Sequence, residues 1–269
     1  MQIIKVPGLN NLEKNNGCRD AGNAVLSELK GFVDEREFAL LNLEEIHVDN
    51  SKVDEQLSLI YENSKDAFTI NDRTVFLGGD HSISYGIGKA FLDVFGKDKS
   101  YLVVFDAHAD CMKPLKEPTH EEWLRKLVED GWDGEKIILV GLRRIEPEER
   151  EFLDSHGIQY WEMDKFSDMD IMCDSIMEFV NRPDASFYFS LDIDAVDPAF
   201  APSTGYLEPG GFTSREILYF VKRISRLKNM RGFDLVEIDS EKDKKMENIT
   251  VKLGGKILKE VLDGGKSGK

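Results

Sequence analysis

The sequence predicts an α/β protein with a parallel sheet covered by helices on both faces, and three observations predict it. Short apolar runs rich in strand-forming residues recur along the chain. Segments of helical length, each with one apolar face, separate them. The runs are apolar at nearly every position instead of every second one, the pattern of strands buried on both sides.

The strand runs fall at residues 74–77, 101–105, 136–140, 186–191 and 232–238. A helix over 170–180 would carry Ile171, Met172, Ser175, Ile176 and Phe179 on one face. A second over 214–224 would carry Ile217, Leu218, Val221 and Ile224, and a third is expected over 246–262. The polar end "DGGKSGK", residues 263–269, reads as a flexible tail. No repeat and no Pro/Gly/Ser linker interrupts this order, so residues 1–269 are expected to form one domain.

Composition narrows the classes of function. Lys plus Arg is 35 and Asp plus Glu is 51, giving −16, which disfavours nucleic acid or an anionic membrane as partner. No apolar run reaches the length of a membrane span, and the N-terminus lacks a basic region followed by an apolar stretch. Cys18, Cys111 and Cys173 form no CxxC pair and suit a reducing compartment, so a cytoplasmic protein is expected.

Four polar clusters follow four of the strand runs. "TVFLGGDHS" ends in Asp80, His81 and Ser82, and "LVVFDAHAD" in Asp106, His108 and Asp110. "FYFSLDIDAVDP" ends in Asp192, Asp194 and Asp197, and "GFDLVEID" in Glu237 and Asp239. Ligands bind open parallel sheets at the carboxyl ends of the strands, so these groups are expected to converge. In an extended chain Asp106, His108 and Asp110 would face one way, about 6.5–7 Å apart per pair, as would Asp192 and Asp194.

Taken singly, GGD is an ordinary turn signal and DxD an Asx-turn or cap. Together the acids lack any lysine or arginine within their clusters, and their mutual repulsion calls for cations. With His81 the set holds two imidazoles and four carboxylates, a mixture suited to Mn²⁺ or a similar ion. Six ligands exceed one ion's needs; shared carboxylates would hold two ions about 3.5–4 Å apart and activate a water between them.

The motifs "GGDHS" (78–82), "DAHAD" (106–110) and "SLDIDAVDPAFAPSTGYLEPGG" (190–211) resemble the signatures of the ureohydrolases, the arginase and agmatinase superfamily. "VGLRR" and "FDLVEID" with the helix after it are similar to further segments of that family, so the likeness runs over nearly the whole chain. The resemblance implies a three-layer α/β/α sandwich with a mostly parallel central sheet, assembled as a trimer or hexamer. It also implies two Mn²⁺ per chain, His81 and Asp110 on one, His108 and Asp194 on the other, with Asp106 and Asp192 serving both. Glu237 would grip the guanidinium of a small cationic substrate, a pairing that bidentate geometry favours. His120, Glu237 and the ligand Asp110 make up the implied catalytic set. The reaction is hydrolysis of a guanidino group to urea and an amine.

Some positions depart from the family pattern. Where many arginases carry an Asn/Ser/Thr-rich loop that reads the α-amino and α-carboxyl groups, this chain has "CMKPLKEPTHEEWLRKL". Thr119 and Glu122 predict a capping box that starts a helix with Trp123, Leu127 and Val128 inward. His120 would sit in its first turn, either as a proton shuttle or as a cap-region histidine, with the helix dipole opposing its charge. Asp197 is either an acid that orients the ligands or one that stabilises the turn before Pro198. Leu207 stands where the family usually has proline, and His47 and His156 read as surface or packing residues. The missing loop favours agmatine over arginine or another guanidino acid. A metal-holding relative without activity is the reading of another class.

Overall fold

A computed structural model of the chain describes residues 1–10, 15–114, 116–166 and 168–266. Among these residues eight strands, all parallel, form a single sheet: β1 (Gln2–Val6), β2 (Asn42–Glu45), β3 (Thr74–Gly78), β4 (Ser100–Phe105), β5 (Ile137–Leu142), β6 (Gln159–Glu162), β7 (Ser186–Asp192) and β8 (Met230–Val236). Their spatial order is β2-β1-β3-β8-β7-β4-β5-β6. The polar, half-exposed β2 and β6 close the two edges and, like β1, lack the long apolar run that marks the inner strands.

Ten α-helices cover the sheet among the described residues: α1 (Ala21–Leu29), α2 (Glu35–Ala39), α3 (Val53–Ile70), α4 (Ile83–Phe95), α5 (Trp123–Glu129), α6 (Pro147–Ser155), α7 (Met169–Val180), α8 (Ser214–Ile224), α9 (Ser240–Asp243) and α10 (Ile249–Lys266). Strand alternation sorts the core into two layers. Val103, Phe105, Phe187 and Phe189 pack with α1, α7, α8 and α10, while Leu102, Val104 and Tyr188 pack with α3, α4, α5 and α6. This is the three-layer sandwich with a fully parallel sheet. No helix among the described residues is long and apolar enough to cross a membrane.

α8 begins at its reciprocal cap, where Thr213 and Glu216 exchange side-chain and backbone bonds, and it buries Ile217, Phe220, Val221 and Ile224. α7 departs from its expected face. It buries Cys173, Ile176 and Val180, and Ile171 is 65% exposed. Residues 171, 172 and 173 offer a wide apolar stripe, and the sheet takes the edge that runs through Cys173.

α10 starts at Ile249, later than expected, because Glu247 and Asn248 take φ values of 55° and 56° that no right-handed helix admits. The Asp243 carboxylate then receives the free N–H groups of Thr250 and Val251. The expected flexible tail is corrected in part: residues 263–266 are helical, with Gly264 buried so closely against Ser225 that a Cβ would stand 2.5 Å from its Oγ. Residues 267–269 lie outside the described residues.

The strand order decides where chemistry can occur. β3, β8, β7 and β4 are consecutive neighbours, so the clusters after residues 78, 236, 192 and 105 meet at one edge of the sheet. Clusters up to 157 residues apart in sequence become adjacent, since consecutive parallel strands lie about 4.8 Å apart.

Candidate active site

The turn after β3 is set by a close approach. Gly79 donates its N–H to Val6 O and its own O accepts from Glu237 N, while a Cβ at residue 79 would lie 1.7 Å from Gly8 O. Only glycine fits there, so GGD is more than a turn signal: it lets the 6–8 segment and Glu237 close on the strand end. Asp80 then accepts from Asn10 N, Ser82 N and the Ser82 hydroxyl, which occupies it as a brace. His81 is left pointing into the cluster, 1% exposed.

β4 stops at Phe105, and "DAHAD" leaves it as a loop. Ala107 and Ala109 are buried on one side, but the expected straight alternation fails at Asp110, whose φ of 50° turns it aside. The turn aims Asp110 at Trp123, whose indole Nε1 donates to Asp110 Oδ2 at 2.8 Å. Trp123 also packs on the His81 ring, centroids 4.6 Å apart. β7 ends in Asp192, and a short 3-10 turn, Ile193–Ala195, presents Asp194 with its N–H bound to Asp192 Oδ1.

Two groups of side chains converge from these loops. His81 Nδ1 lies 3.0 Å from Asp106 Oδ2, 3.1 Å from Asp110 Oδ2 and 3.2 Å from Asp192 Oδ2. His108 Nδ1 lies 2.9 Å from Asp194 Oδ2 and 3.5 Å from Asp106 Oδ1. Asp106 thus turns one oxygen to each histidine. Ligands at about 2.1 Å from an octahedral ion would stand about 3.0 Å apart, the spacing seen around His81. That nitrogen is buried among three carboxylate oxygens, and in the neutral ring its lone pair would point with them at a cation. His81, Asp106 and Asp110 form one group able to hold a metal ion, and Asp106, His108 and Asp194 another.

The electrostatics match this reading of a cation-binding pair. Burial raises Asp110 to about 7, with the Asp106 charge adding to it, and burial with Asp194 and Asp106 raises Asp192 well above the carboxylate range. Burial opposes the charge of both histidines, but the surrounding carboxylates more than reverse this and raise His108 to about 12. Asp106 is held low by His108 and His81 despite its burial. Acids that resist ionising together are acids that a divalent cation would stabilise.

Glu237 follows β8 at a φ of 64°, an unusual conformation for a glutamate, and is 6% exposed. Its Oε1 accepts from His81 N at 2.9 Å and its Oε2 from Asn15 Nδ2 at 2.5 Å. Burial, and after it the Asp80 charge, lifts its pKa to about 8. A guanidinium arriving in the cavity would therefore be the charge this carboxylate lacks. Asn15, which orients it, carried no signal in the sequence, because its contact spans 222 residues.

His81, Asp110 and Asp192 of the one cluster, His108 and Asp194 of the other, and Glu237 line one cavity of about 580 Å³, with Asp106 buried behind them. His120 is on its wall, 6% exposed, with Nε2 3.7 Å from Glu121 Oε1. It sits in a turn before α5, not in the helix: Thr119 N–H and Oγ1 both donate to Glu122 Oε2, but Oγ1 accepts from Glu121 instead of Glu122. The expected capping box is half made, and the dipole argument for His120 lapses. Trp123, Leu127 and Val128 are buried as expected.

Asp197 is corrected towards the turn. It binds Ala199 N, Gly210 N and Gly211 N, which hold its pKa down, and it braces the 210–211 loop. Leu207 is 49% exposed and stands apart from the cavity wall. His47 is exposed beside Glu45, and His156 bonds Phe152 O at the end of α6. Arg143, unremarked in the sequence, spreads five bonds over the carbonyls of Gly141, Asp194, Ala195 and Glu208, pinning the loops behind the Asp194 ligand position.

Fold and site together define the class: an α/β/α protein whose central strand ends bring together imidazole–carboxylate groups able to hold metal ions. The chain belongs to the arginase family, whose model, described as Arginase family, matches residues 1–263. It is 31% identical over 192 residues to arginase 1, mitochondrial, of Arabidopsis thaliana, an alignment covering 70% of this chain and 54% of that protein. It superposes on the proclavaminate amidino hydrolase from Streptomyces clavuligerus with a TM-score of 0.87 at 26% identity, over 99% of this chain and 92% of that one. The agmatine ureohydrolase of Thermoplasma volcanium shares the fold, with a TM-score of 0.82 at 21% identity over 98% of this chain and 89% of that one. The chain spans about half the length of the first curated relatives it matches, 54% and 56%.

Proposed function

We propose that this protein is a manganese-dependent ureohydrolase that cleaves a small guanidino cation, agmatine before all, to urea and an amine. The observation that carries the proposal is the meeting, in one cavity, of Glu237 with two imidazole–carboxylate groups that share Asp106. His81, Asp106, Asp110 and Asp192 would hold one ion, and His108, Asp106, Asp192 and Asp194 the other. Two ions so held would supply a water acidic enough to act as nucleophile at neutral pH.

The chain's own groups do the rest. Glu237, fixed by Asn15 and the His81 N–H, receives the guanidinium and aligns its carbon. Trp123 and Arg143 keep the ligand loops in place. His120, on the wall of the same cavity, is the proposed donor of a proton to the leaving amine.

The substrate reading rests on the charge of the wall. Glu121, Glu146, Glu148 and Glu149 line the cavity, and Arg144 is its one lysine or arginine among the described residues. Lys113 and Lys116 are exposed and away from the wall, with Lys116 turned to Asp54 and Glu117. A distal ammonium suits such a wall better than a carboxylate does. A cytoplasmic location and a trimeric or hexameric assembly belong to the same proposal, and a mass measurement in solution tests the latter. Urea release with excess Mn²⁺ over agmatine, arginine, guanidinobutyrate and guanidinopropionate tests the activity; a clear preference for an acid overturns the substrate.

A further inference from the structure

We infer that Ser190 and Asp234 form a buried relay that fixes the tautomer and orientation of His81, making the ion on the His81 side the more tightly held of the two. The inference rests on the metal-binding role proposed for His81.

The relay begins with an anomaly. Asp234 is an acid in the middle of β8, 0% exposed, in a strand otherwise apolar at its centre. A buried carboxylate is costly unless it is fully hydrogen-bonded, and nothing in the sheet's packing asks for one here. Asp234 gathers four donors. Its Oδ1 accepts from Ser190 Oγ at 2.8 Å and Leu191 N at 3.3 Å, and its Oδ2 from Ser84 Oγ at 2.6 Å and the Tyr188 hydroxyl. Burial and the Asp234 charge push the Tyr188 phenol well above its ordinary range, so it stays a donor.

Ser190 and Asp234 are direct cross-strand partners of β7 and β8, and the Ser190 Oγ is also 2.9 Å from His81 Nε2. A hydroxyl has one proton to give. Given to Asp234, it leaves Ser190 only lone pairs for the imidazole, so the His81 nitrogen facing it must be Nε2–H. In the neutral ring that a cation would bind, Nδ1 then keeps the lone pair, and Nδ1 is the atom set among the oxygens of Asp106, Asp110 and Asp192. Ligating histidines are oriented through the bond their other nitrogen makes, and here that bond is anchored three residues deep in the sheet.

His108 has no such anchor. Its Nε2 makes no hydrogen bond among the described residues, with Glu208 Oε1 at 3.8 Å, and its side chain is 20% exposed against 1% for His81. One histidine is locked by the core, and the other stands at the cavity surface.

The test is calorimetric titration of the metal-stripped full-length protein with Mn²⁺. The parent is expected to bind in two unequal steps. Ser190→Ala should weaken the tighter step by about 10–100-fold and leave the weaker one within about three-fold. Ser84→Ala removes a donor from the same carboxylate without touching His81, and should weaken the tighter step far less. A Ser190→Ala protein that binds like the parent, or that loses both steps equally, or a Ser84→Ala protein that matches it, overturns the relay alone. A parent that takes up no Mn²⁺ overturns the metal reading and the relay with it. Should Ser190→Ala not fold, ¹⁵N-histidine spectra of the zinc-loaded parent decide: a proton on His81 Nε2 supports the relay, and its absence there overturns it.

Discussion

The Trp123 indole donates to Asp110 Oδ2 at 2.8 Å while its ring packs on His81 at 4.6 Å between centroids. One side chain from the first residue of α5 therefore steadies two groups that reach the site from different strands, β3 and β4. Because Asp110 sits at a φ of 50°, its aim depends on that bond more than a regular strand residue's would.

Trp123→Phe keeps an apolar ring over His81 and removes the N–H. The buried Asp110 oxygen then lacks its donor, a loss of about 1–3 kcal/mol. Mn²⁺ affinity is expected to fall about 10–100-fold, in line with the loss of other partners that orient ligands. Equal affinity of variant and parent in a Mn²⁺ titration would remove Trp123 from the site.

Asp106 turns Oδ2 to His81 and Oδ1 to His108, so Asp106→Asn is expected to lose both ions, whereas His108→Ala should lose mainly one. Metal analysis after loading and desalting checks this: the parent is expected to retain about two Mn²⁺ per chain. One ion in the parent, or loss of only one by Asp106→Asn, would contradict a shared carboxylate.

Glu237→Gln should bind Mn²⁺ like the parent and lose most turnover. The change removes the charge that meets the guanidinium and preserves the shape, and half of a buried charge pair is worth about 2–5 kcal/mol, roughly 30-fold to several thousand-fold in rate. Turnover within a few-fold of the parent, with metal retained, would dismiss Glu237 as the guanidinium anchor.

These residues also show what the sequence could and could not reveal. Strand runs and their trailing acids were legible because burial on both faces leaves an apolar signature and a ligand set leaves a polar one. The proposed metal ligands stood out as charges without partners. Trp123 and Asn15 did not, since an indole at the start of a helix and an asparagine in a loop have no unusual neighbours in sequence; the fold alone brings them to Asp110 and Glu237. Asp234 was visible as an acid inside an apolar strand, and Ser190 shares the Asp192 face by simple alternation, but the link between them exists only across β7 and β8. The phase of α7 and the late start of α10 were set by sheet contact and by two left-handed residues, neither of which periodicity records.

On the outer face of α6, Arg150 meets Glu162 through both guanidinium nitrogens at 3.2 and 3.1 Å, and Lys165 adds a bond at 2.6 Å. These bonds, Arg150 first, hold the Glu162 carboxyl at about 2 against its ordinary 4.5. A depressed acid stabilises the fold fully above its unfolded value and loses that contribution as pH falls through the folded one. Glu162→Gln should thus cost about 0.2–1 kcal/mol at pH 7, a difference that shrinks as the pH drops from about 4.5 towards 2. Urea unfolding of both proteins at pH 7, 4 and 3 checks it; a gap that persists at pH 3 would trace the effect to packing.

Arg144 gives the sharpest test of the substrate. Its guanidinium is the one lysine or arginine group among the described residues of the cavity wall, paired with Glu208 at 3.3 Å and Glu146 at 3.4 Å. If the substrate carried a carboxylate, Arg144 would be its natural partner, and Arg144→Ala would cost that substrate an exposed ion pair, about 0.2–1 kcal/mol, or more where the pair is shielded from water. For a dication the same change frees Glu146 and Glu208 to face the distal ammonium and removes a repelling charge. Agmatine kcat/KM is therefore expected to hold or rise in Arg144→Ala, mainly through a lower KM, and the effect should fade with added salt, whose screening length is about 8 Å at physiological strength. Parallel kcat/KM measurements on guanidinobutyrate supply the contrast, since its carboxylate should lose where agmatine does not. A fall in agmatine turnover larger than the fall for guanidinobutyrate would show that Arg144 serves the site in another way and that the acidic wall does not select the substrate.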